Sequence, residues 1–261
     1  MEVVIVSDAA AVGEVSADAI SALVQRKPDA VLGLATGSSP SELYRELARR
    51  VATDELSLAQ CRGFLLDEYV GLPADHPQRY RTVIETEVVT PTDLRSERVQ
   101  GPDGLAADLP GACADYERSI QDAGGIDLQI LGVGSDGHIA FNEPGSSLGA
   151  RTRIKTLTDQ TRRDNARYFG DDIGSVPHHC LTQGIGTILQ ARHLVLLASG
   201  RAKAEALHQV VEGPVTAMWP GSALQLHPHV TAIVDEAAAS RLQLSAYYRD
   251  AYRNKPAWQG L

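Results

Sequence analysis

Val31-Leu32-Gly33-Leu34-Ala35-Thr36-Gly37-Ser38-Ser39-Pro40-Ser41-Glu42 is the stretch on which the fold turns. Its first five residues are apolar without interruption, as a strand buried on both faces requires. Glycine and small hydroxyl residues follow, then a helical pattern with Leu43, Leu47 and Val51 on one face. A buried strand, a tight turn and an amphipathic helix make half of a βαβ unit. The same alternation recurs along the chain. Val3 to Val6 reads as a strand before a helix over 12–24. Phe64-Leu65-Leu66 reads as a strand, 109–122 as a helix and Asp127 to Leu131 as a strand. His193 to Ala198 is a strand before a helix over 201–211, and Val230 to Val234 is a strand before a helix over 236–252. Strands alternating with helices predict an α/β fold: a doubly wound, mostly parallel sheet with helices on both faces, Rossmann-like in outline.

No linker or repeat divides the sequence, so one catalytic domain over 1–261 is expected. Residues 151–182 break the pattern. They are rich in charge, poor in large apolar residues and show no clear strand, which predicts a helical excursion acting as a mobile lid.

Composition narrows the function. The net charge is -9 and the sequence pI about 5.3. An acidic chain lacks the basic surface that nucleic acid or an anionic membrane demands, yet a local cluster of cations still suits an anionic small molecule. Cys61, Cys113 and Cys180 are scattered, as expected of free thiols in a reducing cytoplasm. The N-terminus shows no secretory signal pattern, and no apolar run approaches a membrane-spanning length.

Ligands of open α/β sheets bind beyond the carboxyl ends of the strands, and the unusual residues gather there. Thr36, Gly37, Ser38 and Ser39 precede a helix. Ser39 is expected to cap it, with Pro40 at the first helical position and Glu42 closing a capping box. Free N–H groups at that helix start suit a phosphate. Asp67 directly follows a buried run and is a candidate general base; the alternative is a loop-capping aspartate. In Gly132-Val133-Gly134-Ser135-Asp136-Gly137-His138-Ile139-Ala140-Phe141-Asn142-Glu143-Pro144, Asp136 can fix the tautomer of His138 and make it a proton-transfer group. Asp136, His138 and Glu143 also admit a metal site, although a second histidine at ligand spacing is missing. Lys203 falls in the first turn of a helix, where a cation opposes the helix dipole unless an anion lies between them. Together these residues suggest proton shuttling on a sugar phosphate.

The Asp67-Glu68-Tyr69-Val70-Gly71-Leu72-Pro73 string and the 132–144 string resemble signatures of glucosamine-6-phosphate deaminases. So do Ser146 to Leu157, Met218-Trp219 and Leu224-Gln225-Leu226-His227-Pro228. The resemblance runs from about Val31 to Glu236. It implies conversion of glucosamine 6-phosphate and water to fructose 6-phosphate and ammonia, without a metal or organic cofactor. It implies that His138 opens the sugar ring, oriented by Asp136 and Glu143, and that Asp67 carries the C2 proton to C1. Arg167 and Lys203 would hold the phosphate with Thr36 to Ser39. It further implies a homo-oligomer, a hexamer in some members, activated by N-acetylglucosamine 6-phosphate at Ser146, Ser147, Arg153, Lys155 and Thr156. The loop Ala35-Thr36-Gly37-Ser38-Ser39 stands where many members carry Pro-Thr-Gly-Gly-Thr, and Arg249 stands where some carry an activator-site tyrosine.

Two rivals remain. A 6-phosphogluconolactonase shares the fold and a Gly-x-x-Asp-Gly-His string, but Glu143 and the 67–73 string set this chain apart. A sugar-phosphate sensor would need a DNA-binding segment, and none is visible.

Overall fold

The computed structural model describes residues 1–261, apart from the side chain of Ala257. Its strands are β1 (Glu2–Val6), β2 (Val31–Leu34), β3 (Arg62–Leu65), β4 (Asp67–Tyr69), β5 (Val99–Gln100), β6 (Leu128–Gly132), β7 (Arg153–Thr156), β8 (His179–Thr182), β9 (His193–Ala198) and β10 (Val230–Asp235). Its helices are α1 (Ala9–Arg26), α2 (Ser41–Ala52), α3 (Tyr80–Ile84), α4 (Leu109–Asp122), α5 (Asp159–Ala166), α6 (Ile185–Ile188), α7 (Ala204–Val211) and α8 (Ser245–Arg253).

Seven of the described strands form a parallel sheet in the order β1-β10-β9-β6-β2-β3-β5. From β2 the chain winds outward through β3 to β5. It then returns to β6 on the other side of β2 and winds the opposite way through β9 and β10. Right-handed crossovers in two directions distribute the helices over both faces. The strand order reverses between β2 and β6, so a crevice opens there at the carboxyl ends. The central strands are apolar throughout: every residue of β2, β9 and β10 is buried.

Two expectations fail at the edges of this frame. The 151–182 segment is not a helical excursion. It holds β7 and β8, which pair antiparallel with β4 in a second, three-stranded sheet, and α5 lies between them. β7 (Arg-Ile-Lys-Thr) and β8 (His-Cys-Leu-Thr) are too short and too polar to announce themselves. Pairing with β4 makes them strands. The helix expected over 236–252 is also broken, into a turn at Ala238–Arg241 and α8. The Glu212 carboxylate accepts the N–H groups of Gln243 and Leu244 at 2.8 and 2.9 Å and bends the chain between them.

Candidate active site

The loops after β2 and β6 flank the crevice and touch. A Cβ on Gly132 would lie 3.0 Å from Ser39 Oγ. The expected capping box does not form. Pro40 occupies the cap position of α2 without a side-chain cap bond, and Glu42 pairs with Arg45 instead. Ser39 faces the β6 loop, and Gly37 holds a left-handed φ of 90° that opens the turn. The first N–H groups of α2 therefore have no side-chain acceptor, the condition for anion binding at a helix start.

After β6 the chain folds tightly. Gly134 N–H donates to the His138 carbonyl at 2.9 Å, and Gly137 N–H donates to the Gly134 carbonyl at 3.0 Å. His138 Nδ1 lies 2.7 Å from Asp136 Oδ1, off the line of a well-aligned hydrogen bond. Burial would raise the Asp136 carboxyl, but hydrogen bonding and charge at His138 hold it below its ordinary value. Gly134 makes room for the ring: a Cβ there would sit 2.3 Å from His138 Cε1. Gly137, at φ 79°, packs against Trp219, and its carbonyl accepts Gly221 N–H at 2.8 Å. Ala140 holds φ 49°, a conformation rare for a residue with a side chain, at the heart of the loop.

The hydrogen bonds of Glu143 go to the start of α5, and none of them reaches His138. Its buried carboxylate accepts from Thr158 N, Thr158 Oγ1 and Thr161 Oγ1, the last at 2.6 Å. The start of α5 offers free N–H groups and the positive end of a dipole, and the carboxylate takes them. Thr158 and Thr161 could not be named from sequence, because only folding brings them to Glu143.

Asp67 leaves the main sheet as the first residue of β4, where it pairs with Thr182. Thr182 Oγ1 accepts Phe141 N–H, and Gln183 N–H donates to Leu66 O, so β8 ties Asp67 to the 138–143 loop. Asp67 is only 6% exposed. Burial first, and then the charge of Glu68, push its carboxyl well above the ordinary carboxylate range.

Lys203 precedes α7 after a short turn over Arg201–Lys203. Burial first, and then the positive charge of Arg167, lower its pKa, while Asp164 and Asp136 oppose this. Lys203 and Arg167 are thus close enough to repel, near Asp136. Two cations in one place fit a doubly charged anion such as a phosphate ester. The remaining candidates lie elsewhere. Ser146 is buried, Ser147 exposed, and Arg153, Lys155 and Thr156 belong to β7. Among the described residues, no group of three or more His, Cys, Asp and Glu side chains could hold a metal ion. Among the described residues, no helix is long and apolar enough to cross a membrane.

A family described as glucosamine-6-phosphate isomerases/6-phosphogluconolactonase matches residues 7–233. The chain belongs to this glucosamine-6-phosphate isomerase/6-phosphogluconolactonase family. Within the family, it is 66% identical to a glucosamine-6-phosphate deaminase of Mycolicibacterium smegmatis, across all of both chains. It is 65% identical to a deaminase of the same description from Beutenbergia cavernae, again over both whole chains. Among solved structures, a monomeric glucosamine-6-phosphate deaminase matches with a TM-score of 0.90 and 42% identity, over 92% of this chain and all of the other. A 6-phosphogluconolactonase from Trypanosoma cruzi matches with a TM-score of 0.75 over 93% of this chain and 97% of the other, at 21% identity, a likeness of fold alone.

Proposed function

We propose that this chain converts glucosamine 6-phosphate and water to fructose 6-phosphate and ammonia. The observation that carries the reading is Asp67, a buried carboxyl with a raised proton affinity, set across β8 from the His138 loop. The chemistry needs a base for a carbon-bound proton and a separate relay for the ring oxygens. Thr36 to Ser39, Lys203 and Arg167 hold the phosphate. His138, oriented by Asp136, moves protons between the ring oxygens and opens the pyranose. Asp67 takes the C2 proton and returns it at C1. Water adds to the resulting C2 imine, and ammonia leaves as the C2 carbonyl forms. Lactone hydrolysis would give Asp67 no proton to move.

Residues 1–261 act as one catalytic domain in this reading, and 151–182 close over the substrate. Glu143 holds the start of α5, and through that helix it sets the place of Arg167. Arg153, Lys155 and Thr156, with Ser146 and Ser147, form a second site for N-acetylglucosamine 6-phosphate in a homo-oligomer. Its support is that Arg153 and Lys155 carry no ion-pair partner among the described residues. The three free cysteines are buried and suit the cytoplasm.

The test is ammonia release from glucosamine 6-phosphate by the purified chain, with and without N-acetylglucosamine 6-phosphate and after a chelator. Release that survives the chelator supports the reading. Hydrolysis of 6-phosphogluconolactone without ammonia release overturns it. Sedimentation in the same buffers tests the oligomer, and an unchanged rate with the acetylated sugar removes the activator site.

A further inference from the structure

Asp67 and Glu68 are adjacent buried carboxyls on opposite faces of β4, at 6% and 1% exposure. Their surroundings differ. Glu68 accepts three backbone N–H groups: Tyr69 and Tyr80 at its Oε1, at 2.8 and 2.9 Å, and Arg81 at its Oε2, at 2.9 Å. Arg79 Nε lies 3.7 Å from the same Oε2. No described group donates to the Asp67 carboxyl. Neighbouring buried carboxyls that feel each other's charge do not both ionise freely, and the one with hydrogen-bond donors takes the charge.

We propose, on the deaminase reading above, that Glu68 is a positioning residue: ionised on one face of β4, it keeps a proton on Asp67 until an amino sugar's ammonium group displaces it. The step balances. Asp67–COOH and R–NH3+ become the pair Asp67–COO− and R–NH3+, and one proton passes to solvent. The site then holds its base as a carboxylate only when an amine-bearing substrate is present. A phosphorylated sugar without the amine leaves Asp67 protonated and idle, a form of selection by activation rather than by affinity.

The other groups around Asp67 leave Glu68 in control. Tyr69 on β4, Tyr80 on α3, Tyr116 on α4 and Cys180 on β8 all sense the Asp67 charge, and burial raises every one of them, so they stay neutral. Arg153 and Lys155 on β7 and Glu143 act on Cys180, across β8 from Asp67. Glu68 itself is raised by burial, with its three N–H donors and Arg79 pulling it back. Asp67 has nothing that pulls it back.

The experiment is calorimetry of two open-chain probes, 2-amino-2-deoxyglucitol 6-phosphate and glucitol 6-phosphate, binding the whole chain in buffers of different ionisation heat. The second probe subtracts proton exchange by the phosphate. Extra proton release with the amino probe is expected near neutral pH. Equal exchange with both overturns the proposal while leaving ammonia release intact, whereas failure to release ammonia from glucosamine 6-phosphate overturns the deaminase reading itself. Glu68→Gln should move the acid limb of kcat/KM to lower pH, giving roughly tenfold more relative activity just below the original limb. A structural role would lower activity at every pH without moving the limb, and that result also overturns the proposal. The probe comparison uses the unmodified chain, so it decides even if Glu68→Gln does not fold.

Discussion

Gly134→Ala isolates the placement of His138. The added Cβ would lie 2.3 Å from Cε1, 2.4 Å from Nδ1 and 2.6 Å from Nε2 of the ring. Non-bonded carbons settle near 3.5 Å, so the ring must retreat by about 1 Å. Asp136 Oδ1 lies 2.7 Å from Nδ1, so the retreat disturbs that contact. A misplacement of about 1 Å costs roughly 10²-fold in rate, or about 2.7 kcal/mol in the barrier. Overpacking also costs about 1–3 kcal/mol of stability, so the assay belongs well below the melting temperature. Steady-state ammonia release should show kcat down roughly a hundredfold. KM should change little, because the proposed phosphate contacts lie in other loops. Gly149→Ala is the control, since its Cβ would meet nothing within 4 Å. Near-normal kcat in a folded Gly134→Ala would refute the role of the Asp136–His138 geometry in turnover.

Asp67→Asn should lose turnover by roughly 10²–10⁴-fold, the usual worth of a general base. It should also stabilise the fold. The raised carboxyl loses stability as pH rises from the ordinary carboxylate pKa to its higher folded value, and the amide carries no such cost, so the gain is absent in acid, grows through that window and is level above it. Melting curves of the two chains that run parallel from acid to neutral pH would contradict the raised carboxyl. Lys203→Met should raise KM for the phosphorylated sugar roughly tenfold or more and leave any turnover of free glucosamine unchanged. An equal effect on both sugars would mean that Lys203 does not meet the phosphate. His193 stacks on His229 at 3.7 Å between ring centres, and its pKa is held down to about 3, first by burial and then by His229, His227, Lys255 and Arg26. Its stabilisation is present above its ordinary pKa and is lost as pH falls toward 3, so His193→Gln should flatten the loss of melting temperature across that window. An unchanged acid slope would place the loss elsewhere.

The main sheet was legible because its strands are buried on both faces and so carry unbroken apolar runs, as His193 to Ala198 does. The candidate site residues were visible because chemistry-bearing side chains such as Asp136 and Lys203 follow those runs closely. The second sheet was hidden for the opposite reason. β7 exposes alternate residues on a charged edge, and four residues of Arg-Ile-Lys-Thr look like surface until β8 pairs with them. Ser39 misled because a capping signature is local, whereas its actual neighbour, Gly132, arrives from another βα unit.

Glu143 shows where such a reading stops. Its place in the sequence, five residues past His138, suggests a partner for the histidine, and distance along a chain is the only distance a sequence offers. In the fold its carboxylate bonds Thr158 and Thr161 at the start of α5, whose far end leads into Arg167. A residue of the 132–144 string thus holds the helix that leads into Arg167, the cation proposed for the phosphate. The consequence is separable by experiment. Glu143→Ala should loosen the 159–166 amides in hydrogen exchange and raise KM through Arg167. A residue that only tuned His138 would alter the pH profile and leave those amides protected.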